Sequence, residues 1–209
     1  DAQQLELLSR FENVIATASG PVVVADLHTS SAGGPPFLCL ADTIDNRRLG
    51  LAIGVPIILG IEEAIDGASL EWFADRGIVS FAVEGGQHDD PGTITNHQAV
   101  LWRMLDYLRM LPGSSGGSDD FDLGPWIARL SSAVGAVPPI VEIVYRHAIA
   151  PDEGFRMEPG FTNFQSVKTG TLLARDREGE IRAPRNALVM LLVSRGWISH
   201  RRILPYTGS

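Results

Sequence analysis

The sequence predicts an α/β protein: a sheet with flanking helices, followed by a small β-rich domain. Three observations predict it. Strand-like and helix-like runs alternate through residues 1–112, the pattern of a layered sheet. A polar segment rich in Gly and Ser, 112–120, then interrupts them. From Pro138 onward short strands alternate with glycine-bearing turns, and helical periodicity fades.

In chain order, Leu5, Leu8, Phe11 and Ile15 recur at helical spacing and predict a helix over 2–18, ended by Gly20-Pro21. The run 22–25 is continuous and apolar, the pattern of a strand buried on both faces of a parallel sheet. It leads into Asp26-Leu27-His28 and a Gly-Pro loop. Residues 37–41 read as a strand, 43–52 as a helix, 56–59 as a strand and 70–75 as a short helix closed by Gly77. A fourth strand, 78–83, ends at Glu84-Gly85-Gly86. A long amphipathic helix follows over 94–111, with Val100, Met104, Leu108 and Leu111 on one stripe. A short helix over 126–134 and a strand over 140–145 come next. Turns at Gly154, Pro159-Gly160, Gly170 and Glu178-Gly179 then punctuate the β-rich part. The expected divisions are 1–112 for the α/β part, 113–137 for a linker and short helix, and 138–209 for the small β domain.

Composition bounds the function. The 209 residues carry 17 Lys+Arg against 25 Asp+Glu, a net charge of −8. Nothing broad and basic would neutralise phosphates, so nucleic acid and anionic membranes are excluded as partners. A single cysteine, Cys39, in an apolar run excludes a disulfide framework and a Cys-rich zinc site. No apolar stretch approaches the roughly 20 residues that span a bilayer, and no signal-peptide pattern is visible. The cytoplasm is the expected compartment. The chain opens at Asp1 rather than Met, directly into a helical pattern, so a segment upstream of these residues is expected.

Two positions carry the chemistry. His28 ends the first predicted strand and Glu84 the fourth, and α/β sheets build their sites at the carboxyl ends of strands. An imidazole and a carboxylate delivered to one rim suit a zinc ligand and a general base. Asp26 lies two residues before His28, on the same strand face, where it can orient the imidazole. Without a metal, the same residues read as a hydrogen-bonded histidine and a loop-capping glutamate.

The segment Asp26-Leu27-His28-Thr29-Ser30 resembles the Asp-Leu-His-Thr segment of the succinylglutamate desuccinylase/aspartoacylase family, a branch of the zinc-carboxypeptidase-like hydrolases. Val83-Glu84-Gly85-Gly86-Gln87 resembles that family's catalytic Glu-x-Gly segment. The run from Met157 to Gly170, with Arg182-Ala183-Pro184, is similar to its C-terminal segment, so the resemblance covers nearly the whole chain in order. It implies the C-terminal portion of a zinc-carboxypeptidase-like mixed sheet, with Zn2+ as cofactor. It implies hydrolysis of an amide in an N-acyl amino acid or similar small substrate. His28 would be a zinc ligand, Glu84 the general base, and Thr29 and Ser30 would line the site. The family takes its first two zinc ligands from an upstream His-x-x-Glu motif. Each of the five histidines here, His28, His88, His97, His147 and His200, lacks a Glu three residues on.

The remaining polar positions are weighed against plainer roles. His88-Asp89-Asp90 lies near the proposed rim; it suits a turn and helix start, and His88 is kept as a substrate-binding candidate. Asn96 and His97 read as surface or capping residues, Arg47 and Arg48 as a solvated face, His147 as structural, and His200-Arg201-Arg202 as solvated charge. The tract from Gly170 to Ala174 has a biotinyl/lipoyl-like flavour. A carrier domain needs a lysine at a hairpin tip, however, and Lys168, the only lysine, is not at one. The expected partners are a small acylated amino acid and the upstream segment of the same protein, with homo-oligomerisation left open. The alternatives are a metal-free family member that binds a small molecule, and a carboxypeptidase-type peptidase.

Overall fold

The computed structural model describes residues 2–61, 69–112, 121–147, 149, 152–192 and 202–206. The linker reading over 113–120 and the histidine at 200 lie outside the described residues.

The first element, α1 (Ala2–Thr17), has the predicted helical span but buries none of its side chains. Of its apolar stripe, Phe11 makes edge contact with Phe73 at 5.0 Å. The main sheet takes β1 (Val23–Ser30), β2 (Phe37–Cys39), β3 (Ile57–Leu59), β4 (Val79–Gln87) and β5 (Ile140–Glu142), in the order β1-β4-β2-β3-β5. It is mixed: β4 runs parallel to β1 and antiparallel to β2. The expectation of a first strand buried on both faces is corrected. β1 is an edge strand, half-buried at its start and exposed from Asp26 to Thr29. It also runs past His28 to Ser30, and β4 runs past Glu84 to Gln87. β5, expected at the head of the small β domain, pairs in parallel with β3 and closes the main sheet.

Side-chain alternation sorts the sheet into two cores. One face carries Leu38, Ile57, Phe81 and Val83 against α2 (Ile44–Ile53), α4 (Gly92–Tyr107) and α5 (Gly124–Val134), through Leu49, Ile53, Ala99, Val100 and Leu130. The other face carries Phe37, Cys39, Ile58 and Val141 against Leu70 of α3 (Ser69–Ala74) and against Phe164 and Met190 of the C-terminal part. Local chemistry sets the helix ends. Thr43 accepts the Asn46 N–H as N-cap of α2, and Gly54 closes that helix in the left-handed region at φ 89°. The α4 helix starts two residues before the predicted helix and stops at Tyr107, so Leu108 and Leu111 fall beyond it.

The C-terminal part has two three-stranded sheets. One is β11-β10-β7, from β7 (Gln165–Val167), β10 (Ala187–Leu192) and β11 (Arg202–Tyr206). The other is β6-β8-β9, from β6 (Arg156–Met157), β8 (Leu172–Arg175) and β9 (Glu180–Arg182). Their shared core is Val167, Leu173, Ala174, Ala183, Ala187 and Val189. Among the described residues no helix is long and apolar enough to cross a membrane.

Candidate active site

His28 and Glu84 are register partners across the parallel β1–β4 pair. In-register residues of a parallel pair project to the same face, and strands lie about 4.8 Å apart. The face is identified by its neighbours. Ala82 and Phe37, which share it with Glu84, pack in the core that holds Phe164 and Met190. Asp26 shares it too, two residues before His28. The three polar side chains therefore sit at the margin of the face covered by the C-terminal part, where that apolar core stops.

The Asp26 carboxylate contacts His28 Nε2 at 2.9 Å. That hydrogen bond raises the imidazole pKa above its ordinary value and lowers that of Asp26. It also fixes the ring, leaving Nδ1 as the nitrogen that can bind a metal. Glu84 is half-buried, and burial pushes its carboxyl pKa up against the opposing pull of His28. Its Oε2 is buried with no hydrogen-bond partner. An orphaned carboxylate oxygen beside an oriented imidazole fits a cation or a proton donor arriving in that space. The donors present thus fit a zinc ion in part, as one imidazole ligand with its orienting carboxylate.

Two glycines make this arrangement possible. Between the His28–Glu84 and Ser30–Gln87 pairs the register shifts, so β4 carries an extra residue opposite β1. Such a bulge re-aims side chains at the rim of a site. A Cβ on Gly85 would lie 2.3 Å from His97 Nε2, and one on Gly86 (φ 145°) 2.6 Å from Thr93 Oγ1. The glycines let α4 close onto the strand behind Glu84. There His97 Nε2 donates to the His28 carbonyl at 2.9 Å. Asn96, buried, donates to the Gly85 carbonyl at 2.7 Å and accepts from Arg129 Nε at 2.8 Å. Asn96 and His97 are therefore not surface or capping residues; they hold the backbone of β4 at Gly85 and of β1 at His28. The signal was the Gly-Gly pair itself, since glycine within a strand marks close approach of another group.

The other candidates sit just beyond. Thr29 Oγ1 and His88 Nδ1 share a hydrogen bond of 2.7 Å, while His88 Nε2 is buried without a partner. Ser30 is buried and its Oγ accepts from Asn163 Nδ2 at 3.3 Å and from the Ala32 N–H at 3.3 Å. Asn163, not singled out in the sequence, joins the C-terminal part to the rim. Arg47 is bound to Asp42, on the solvated face expected of it.

No protein-family profile and no curated protein matches this sequence. Solved structures do match the fold. A succinylglutamate desuccinylase/aspartoacylase from Rhodobacter sphaeroides superposes with a TM-score of 0.58 at 16% identity, covering 88% of this chain and 58% of its own. The ectoine utilization protein EutE from Ruegeria pomeroyi gives 0.57 at 18% identity, over 89% and 58%. A succinylglutamate desuccinylase from Vibrio parahaemolyticus gives 0.57 at 15% identity, over 99% and 60%. The chain thus spans about three fifths of their length. Over that span it has the mixed α/β fold, with added β sheets, of the succinylglutamate desuccinylase/aspartoacylase structures.

Proposed function

We propose that this chain carries the general base and one metal ligand of a zinc-dependent deacylase acting on the amide of a small N-acyl amino acid. The observation that carries the reading is the pairing of Glu84 with an Asp26-oriented His28 on one face of the sheet. Zinc, when bound, acts as a Lewis acid toward water and the scissile carbonyl. His28 would hold it through Nδ1, with Asp26 keeping the ring in place. Glu84 would take the proton of the attacking water and hand it to the leaving amine nitrogen. Burial serves that role, because a carboxyl with raised pKa accepts a proton more readily than an exposed one. Thr29, Ser30 and His88 would shape the pocket around the substrate.

Catalytic zinc takes three protein ligands, and these 209 residues contain no His-x-x-Glu. The reading therefore requires further ligands from outside them. The test uses the intact gene product. Glu84→Gln should retain zinc and lose turnover by about 10²–10⁴ on N-acetyl or N-succinyl amino acids. His28→Ala should lower zinc content by elemental analysis. Near-normal turnover in Glu84→Gln, or unchanged zinc in His28→Ala, would overturn the assignment. Preference for peptides over acylated amino acids would favour the peptidase alternative, and absence of metal and turnover together the binding-protein alternative.

A further inference from the structure

A second group of metal-capable side chains lies in the C-terminal part, sharing no residue with the His28 site. Among the described residues, His147, Glu153 and Asp176 form the one group of three such donors whose ligand atoms all lie within 4.8 Å of one another. His147 Nε2 is 2.9 Å from Glu153 Oε1 and 3.9 Å from Asp176 Oδ2. Ligands at tetrahedral zinc distances of about 2.1 Å stand roughly 3.4 Å apart, between those two values. The side chains are sheltered, at 18%, 17% and 7% exposure.

We propose that His147, Glu153 and Asp176 bind a divalent transition-metal ion of the zinc class. Three properties support it. The donor set is one imidazole nitrogen and two carboxylate oxygens, which suits zinc and its neighbours better than the all-oxygen cations calcium and magnesium. The donors are pre-aligned from three separate segments. The β8–β9 turn holds Asp176 through Oδ1, which accepts the Glu178 and Gly179 N–H groups at 2.8 and 3.0 Å; Oδ2 is left to face His147. Phe155 stacks on the His147 ring at 5.7 Å and fixes its plane. Finally, two carboxylates meet one imidazole in a sheltered space, so a dication balances the charge. The bound ion would staple the segment after β5 to the turn before β6 and to the β8–β9 hairpin.

The rival is an ion-free network in which the imidazole is held by the two carboxylates. Two conservative variants separate them. Glu153→Gln keeps an oxygen for the imidazole, and Asp176→Asn keeps the oxygen that caps the turn, but each removes a charged ligand. The chain is stripped with EDTA, dialysed against Zn2+ and analysed for bound metal. His28→Ala should retain one Zn2+ per chain. Glu153→Gln and Asp176→Asn should bind that ion at least about tenfold more weakly. A Co2+-loaded His28→Ala sample should show a visible absorption band that is lost when Glu153→Gln or Asp176→Asn is added. Zn2+ should also raise the Tm of His28→Ala and not that of His28→Ala/His147→Gln. In the His28→Ala background, zinc affinity unchanged by Glu153→Gln and Asp176→Asn, no zinc retained, or a Tm indifferent to Zn2+ would each overturn the proposal. Because the His28→Ala arm isolates this site, failure here leaves the deacylase reading standing, and the reverse holds.

Discussion

At the scale of single residues, the Asp26–His28 pair sets the protonation behaviour of the site. His28 has a raised folded pKa, so its protonated form adds stability below its unfolded value of about 6.5 and loses that contribution as pH rises through the folded value. Asp26 is lowered, so its ionised form adds stability above about 3.9 and loses it as pH falls through the depressed value. Both contributions are present together between about pH 4 and 6.5. The pair is half exposed, which keeps them modest. Asp26→Asn removes the cause of the His28 shift. In the metal-free protein, titration of the imidazole by NMR should show its pKa falling toward the ordinary 6.5; an unmoved value would mean that Asp26 does not orient the ring. This pairing was legible in the sequence, because two residues on one strand share a face. The burial of Glu84 was not, since it depends on the C-terminal part packing over Ala82 and Phe37.

At the scale of elements, the β4 bulge and the helix behind it form one unit. Strand and helix types were readable from periodicity, and so was the order of the motifs. What the pattern could not give was sheet order. The apolar run at 22–25 looked like a central strand, yet β1 is the edge, because apolar content alone does not say how many neighbours a strand has. Nor did it give the tertiary use of Asn96 and His97, whose partners lie 11 and 69 residues away. The unit makes a prediction. Gly85→Ala places a methyl 2.3 Å from His97 Nε2, so the His97 ring, the helix or the strand must shift, at a cost of about 1–3 kcal/mol. The lost stability should be read by denaturant unfolding. The double variant Gly85→Ala/His97→Ala frees the space and should recover much of it. If the single variant is as stable as wild type, or the double variant no better than the single, the close approach is not what glycine serves here.

At the scale of the whole molecule, the site stands where the C-terminal part meets the sheet. Phe164, at φ 62°, reaches edge-on to Phe37 at 5.4 Å, and Phe37 is the register partner of Glu84. Beside it Asn163 works in both directions: Nδ2 donates to Ser30 Oγ, and Oδ1 accepts from the Leu191 N–H at 2.7 Å. The chain crosses so closely that a Cβ on Gly34 would lie 2.7 Å from that of Asn163. One side chain therefore ties the end of β1 to strand β10, beside the rim that carries His28 and Glu84. Asn163→Ala leaves the Leu191 N–H without its acceptor, a cost of about 1–3 kcal/mol. Hydrogen exchange should then quicken at Leu191 and at His88, whose N–H bonds the Ser30 carbonyl at 3.1 Å. Amides of α2, in the core on the opposite face of the sheet, should keep their protection. Faster exchange spread evenly over both faces would mean that Asn163 supports the fold at large; faster exchange at these two amides alone would locate the tie at the junction that shapes the site.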